Sequence, residues 1–103
     1  MTELTHTVGT EAERIVVAIK GELDTHTAVE FKRALLGLIQ EGGEVVVDLG
    51  GLTFIDSSGL SVFIAAHKRA LSLGAKVALD FVPAFLVRIL AITGLDEVIP
   101  ILR

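Results

Sequence analysis

The chain predicts an α/β domain, with a mixed, mostly parallel sheet of four or five strands and helices packed against it. Three observations carry that expectation. Its 103 residues suffice for one domain, spanning residues 1–103, with a single core and no room for a second. After an opening hairpin, short apolar runs of strand length alternate with longer stretches of helical periodicity, the pattern of parallel strands joined by right-handed crossovers. The connections between them are only a few residues long, with no repeat and no low-complexity linker.

In chain order, "ELTHTV" and "RIVVAIKG" are two strands, joined by "GTEAE", a polar loop with glycine that suits a hairpin. "LDTHTAVEFKRALLGLIQ" is helical: Ala28, Phe31, Leu35, Leu38 and Ile39 form a buried stripe, while Glu30, Lys32 and Arg33 face out. Asp24 or Thr27 caps this helix, the latter in a capping box with Glu30, and Gly42-Gly43 ends it. "EVVVDL" is a nearly continuous apolar run that suits a strand covered on both faces, and the Gly50-Gly51 pair behind it reads as a turn. A second helix runs from Ser57 or Ser58 to about Leu73. Leu60, Phe63, Ile64, His67, Ala70 and Leu71 share one of its faces, and Gly74 supplies a left-handed C-cap. "AKVALDFV" is the next strand. Pro83 opens a short helix, "AFLVRILAIT", closed by Gly94, and "DEVIPIL" makes a last strand that Pro100 confines to an edge and that buries the short helix.

Composition narrows the function. Apolar residues make up 51% of the chain and the net charge is -4, so nucleic-acid phosphates would repel it. Without tryptophan or tyrosine it also lacks an aromatic platform for stacking bases. The absence of cysteine rules out disulfides and thiol chemistry. The opening "MTELTHTVGT" has no basic region leading into an apolar run. Lys20, Asp48, Asp56, Lys68, Asp80 and Arg88 interrupt every stretch that approaches the length of a membrane span. The expectation is a soluble cytoplasmic protein with no nucleic-acid or membrane partner.

Catalytic chemistry is not expected. Ser58, Asp56 and one of His6, His26 and His67 supply the residue types of a hydrolase triad, but neither serine lies in a G-x-S-x-G elbow. The histidines have no ligand-like spacing, so no metal site is expected; His67 reads as a core residue and His26 as part of a helix start. Asp48 ends "VVVDL" as a phosphoacceptor would, yet the preceding strand runs into "AIKGELD", without the adjacent acidic pair that magnesium would need. The glycine pairs fit neither phosphate-loop pattern, and no cofactor is expected.

One junction remains, "TFIDSSGLS" at residues 53–61. In its plain reading, Ser57 or Ser58 caps the second helix, worth about 1 kcal/mol, and Asp56 is favoured by the helix dipole. In its functional reading, a serine stands exposed on a tight corner where Gly59 leaves room for another protein's active site. Phosphorylation there adds about -1.5 to -2 charges beside Asp56. Inside an apolar contact that charge costs several kcal/mol to desolvate, and each 1.4 kcal/mol weakens binding about tenfold. The outward face of the following helix, with Ser61, Ala65, Lys68 and Ser72 flanked by Val62 and Ala66, is small and lightly charged, and a partner can lie flat on it.

"VVVDLGGLTFIDSSGLSVFIAAHKRA" resembles the signature of the STAS domains, specifically the anti-sigma factor antagonists of bacterial sporulation and stress signalling. "IKGELDTHTA" and "VRILAITGLDEVIPI" resemble the strand-to-helix and C-terminal segments of that family, so the resemblance covers nearly the whole chain. It implies a STAS-like fold and a non-enzymatic switch. The partner implied is an anti-sigma factor that is also a serine kinase; it releases its sigma factor when the antagonist binds. It phosphorylates the antagonist on the residue before the glycine, here Ser58, and a separate phosphatase reverses the modification. The same match places Asp24, Asp56 and Ser57 near the contact surface.

Overall fold

The computed structural model describes residues 3–103. Its elements are β1 (Leu4–Glu11), β2 (Arg14–Leu23), α1 (Ala28–Leu38), β3 (Glu44–Ile55), α2 (Ser57–Ser72), β4 (Lys76–Asp80), α3 (Ala84–Thr93) and a 3-10 turn at Leu95–Glu97. The four strands form one sheet in the order β1-β2-β3-β4. The first pair is antiparallel and the other two are parallel, which is the mixed, mostly parallel sheet expected.

One core joins the sheet to all three helices. Alternate residues of the parallel strands, Val17 and Ile19, Val45 and Val47, Val77 and Leu79, supply one side of it; Phe31 and Leu35, Phe63 and Ala66, Leu86 and Leu90 supply the other. Period-2 alternation puts the first set on one face of the sheet. The opposite face buries Val46 and Ala78 as well, so β3 is covered on both sides as its apolar run implied. Charged pairs border that second face. Arg14 lies 3.6 Å from Glu44, and Arg103 grips the buried Asp80 carboxylate through Nε at 3.1 Å and Nη2 at 3.0 Å. The Arg103 hydrogen bond holds the Asp80 carboxyl below its ordinary range, against the desolvation that would raise it.

Several boundaries differ from the sequence reading. The hairpin loop is not the five residues of "GTEAE" but Ala12 and Glu13 alone, with φ of 50° and 68°, between the paired Glu11 and Arg14. Positive φ at both central positions matches the twist of the flanking strands, and pairing takes precedence over side-chain preference here. Gly50 and Gly51 make no turn; they lie inside β3, which is twelve residues long. Ala18 faces Asp48 while Lys20 faces Gly51, so β3 carries an extra residue there, a bulge. A Cβ on Gly51 would stand 2.8 Å from the Ile19 carbonyl oxygen, which is why glycine fits that close approach.

The final strand contracts to one parallel bridge between Leu79 and Ile101. Gly94 ends α3 in the left-handed conformation, and Leu95–Glu97 then coils into the 3-10 turn. Residues 98–103 leave much of α3 uncovered: Leu86 and Leu90 are buried, but Phe85, Val87 and Ile92 are exposed, the last at 86%. In α2 the buried residues are Gly59, Val62, Phe63, Ala66 and Ala70, while Leu71 is 67% exposed. The helix is rotated from the expected stripe because its small residues let it sit close to the sheet.

Candidate functional site

The site is made where two parallel strands end together. Leu23, the last residue of β2, pairs with Ile55, the last of β3. Parallel neighbours release their following loops on the same edge, so residues 24–27 and Asp56 with the start of α2 lie side by side.

Each loop organises itself. In the first, Asp24 Oδ1 accepts from the amides of His26 at 2.9 Å and Thr27 at 3.2 Å. The Thr27 hydroxyl donates to the Glu22 carbonyl at 2.8 Å and accepts from the Asp24 amide at 3.0 Å. The expected capping box with Glu30 does not form, because that hydroxyl is used in the turn and makes no cap bond to α1. Asp24 is only 6% exposed. It shapes the turn and presents Thr25 rather than offering a broad contact itself.

In the second loop the cap is Asp56, not a serine. Its Oδ1 accepts from the amides of Ser58 at 2.9 Å and Gly59 at 3.2 Å, satisfying two otherwise orphaned donors of the first turn. Ser57 and Ser58 are therefore inside the helix. The Ser58 hydroxyl is left to meet Thr25 Oγ1 at 3.3 Å, and Thr25 Oγ1 also lies 3.5 Å from Asp56 Oδ2. The partner of this serine is thus a threonine rather than a triad histidine.

Ser58 is half-buried and opens onto a groove of about 290 Å³ between α1 and α2, lined by Thr25, Val29 and Lys32 on one wall and Ser58, Ser61 and Val62 on the other. Around the corner Phe54 stands exposed in a second recess with Glu22, Thr25, His26 and Asp56.

The sequence-derived site residues separate into two groups. Asp56, Ser57, Ser58, Ser61 and Ala65 reach the surface on one side of the junction, Ser57 and Ser61 the most exposed of them. Gly59 and Val62 face inward. A Cβ on Gly59 would stand 2.6 Å from Ile55 Cγ1 and 2.6 Å from the Leu23 carbonyl oxygen. That glycine lets α2 press against the strand ends; it does not clear space for an incoming enzyme. Val62, 2% exposed, is the groove's floor, and Ala66 is buried rather than flanking an outward face. Thr25, Val29 and Lys32 were not singled out by sequence reasoning, since only the pairing of β2 with β3 brings them to Ser58; nor was Phe54, whose side chain faces the neighbouring recess. Among the described residues no group of three or more His, Asp or Glu is arranged to hold a metal, and no helix is long and apolar enough to cross a membrane.

A short mixed sheet with helices against it and a serine-glycine helix start beside the β2 loop define a STAS domain. The chain belongs to that family: the family model described as "Mlab, STAS domain" matches residues 6–103. It is 32% identical over 87 residues to the anti-sigma-B factor antagonist of Bacillus subtilis, covering 84% of this chain and 80% of that one. It is 33% identical over 92 residues to the anti-sigma-B factor antagonist of Listeria monocytogenes, covering 88% and 81%. Among solved structures, an anti-sigma factor antagonist from Mycobacterium paratuberculosis superposes with a TM-score of 0.80 at 26% identity, covering 96% of this chain and 85% of that chain.

Proposed function

We propose that this protein is an anti-sigma factor antagonist: it binds an anti-sigma factor serine kinase, thereby freeing a sigma factor, and phosphorylation of Ser58 switches it off. The observation that carries the reading is the cap. Because Asp56 satisfies the first amides of α2, the Ser58 hydroxyl has no helix-capping duty, and it opens onto a groove at the molecular surface. The relatives that bear the name of antagonist support the general role.

On this reading the docking surface is the edge formed by Thr25, Phe54, Asp56, Ser57, Ser58, Ser61 and Ala65. Asp24, Gly59 and Val62 hold it in shape from below. In the modification step Ser58 Oγ attacks the γ-phosphorus of ATP. The Oγ–P bond forms, the bond to the bridging oxygen breaks, ADP leaves, and the hydroxyl proton passes to a base on the kinase. A phosphatase returns the hydroxyl by hydrolysis. The new group carries about -1.5 to -2 charges next to Asp56, and burying it unpaired costs several kcal/mol, or two or more decades of affinity. The protein itself performs no catalysis and works in the cytoplasm, where ATP is available to its kinase.

The test is phosphorylation by cognate kinases with ATP, mapped by mass spectrometry, together with partner affinity for two variants. Ser58→Ala retains binding and escapes control; Ser58→Asp binds more weakly. Equal affinities for the two, or no label at Ser58 with any cognate kinase, would overturn the proposal. The second outcome favours a STAS scaffold or ligand-sensing module without a kinase-controlled switch.

A further inference from the structure

A phosphoryl group on Ser58 brings three acceptor oxygens, and its neighbours decide where they go. The amides of Ser58 and Gly59 are already occupied by Asp56 Oδ1, whose carboxylate also repels the newcomer. The Ser61 hydroxyl donates to the Ser57 carbonyl at 2.9 Å and has no second proton to give. Two donors can still turn to the phosphate along the groove wall: the Thr25 hydroxyl, 3.3 Å from Ser58 Oγ, which gives up only a long 3.5 Å bond to Asp56 Oδ2, and the ammonium of Lys32, the basic residue lining the groove. Val29 and Lys32, three residues apart on α1, lie on one helix face, and with Thr25 of the preceding loop they line the wall opposite Ser58.

We propose that the phosphate of modified Ser58 lies in the groove between α1 and α2, held there by Lys32 and Thr25. This rests on the reading of Ser58 as the acceptor and adds a means of regulation. The modified protein fills its own groove over Val29 and Val62, so a docking partner loses apolar contact as well as meeting charge. The charged and titratable groups around this position are Asp56 at the end of β3, Lys32 on α1, and Glu22, Asp24 and His26 around the β2 loop. Besides Ser58 itself, α2 contributes only Ser61 and Val62 to the groove. The acids favour the monoanion of the phosphate, and Lys32 favours the dianion.

The experiment places phosphoserine at position 58 by genetic-code expansion, without a kinase, and follows the phosphate by 31P NMR across pH 4 to 9. An ordinary phosphoserine has its second pKa near about 6. Replacing Lys32 by Met is expected to raise that pKa by about 0.2 to 0.7, the range of an exposed ion pair. Lys32→Arg keeps the parent value, and so does Lys68→Met, on the exposed face of α2. A Lys32→Met protein that titrates like its parent would overturn the proposal, as would an equal shift from Lys68→Met. Because the phosphate is installed synthetically, a kinase that fails to label Ser58 would sink the functional reading and leave this result standing.

Discussion

Replacing Gly59 by Ala tests the junction most sharply, because ordinary helix propensity and the observed packing disagree about the sign. An exposed helical glycine gains up to about 1 kcal/mol on becoming alanine. At Gly59 the added carbon would stand 2.6 Å from Ile55 Cγ1, 2.6 Å from the Leu23 carbonyl oxygen and 2.9 Å from Leu23 Cγ. Overpacking of this kind costs about 1 to 3 kcal/mol, and the upper half applies because one partner is backbone and cannot swing away. The net loss is about 1 to 2 kcal/mol, a fall in Tm of about 5 to 15 °C for a domain of this size. The same carbonyl accepts the Asp56 amide at 3.3 Å, so exchange at that amide should accelerate too. Gly37, in α1, has nothing within 4 Å of the corresponding position, and Gly37→Ala should stabilise by up to about 1 kcal/mol. Urea and thermal unfolding followed by circular dichroism measure both. A Gly59→Ala protein as stable as wild type, with Gly37→Ala behaving as stated, would refute the close-packing account.

Ser58→Ala should change unfolding free energy by less than about 0.5 kcal/mol, whereas Asp56→Ala should lose about 0.5 to 2 kcal/mol; the reverse order would return the capping role to the serine. Phe63→Ala removes a fully buried ring from the centre of the core and should cost about 3 to 5 kcal/mol in urea unfolding. The Asp80 carboxyl is held below its ordinary range by Arg103. Its contribution is therefore complete above the unfolded-state pKa of about 3.9 and disappears as pH falls through the lower folded value. The Tm gap between wild type and Arg103→Met should be constant from pH 6 to 8 and close in acid; a gap that persists at pH 2 would contradict the pairing.

The sequence revealed helices through the spacing of Ala28, Phe31 and Leu35, and the parallel class through alternation, because both signals are local. It misplaced what depends on neighbours. Gly50 and Gly51 look like a turn from within the chain, and only the partner strand turns them into a bulge and a close approach. The "DEVIPIL" segment has strand-like residues but contributes one bridge, since the 3-10 turn consumes its first half. At the site, the Asp56 to Ser58 stretch was recognisable from its residue types, yet which of the three would cap the helix was not, because all of them are good caps. Gly59 was visible as small but not as inward-facing. Thr25 and Lys32 carried no signal, as nothing local ties residue 25 to residue 58.

The two hydroxyls that meet at this edge are separated by 33 positions in the chain, and only the completed crossover from β2 through α1 to β3 brings them together. An unfolded or half-assembled copy displays the serine in isolation, without its threonine neighbour, its acidic cap or the groove wall. On the proposed reading, an enzyme that recognises the assembled corner would act on folded copies alone, so the same contact that presents the serine would also certify the fold.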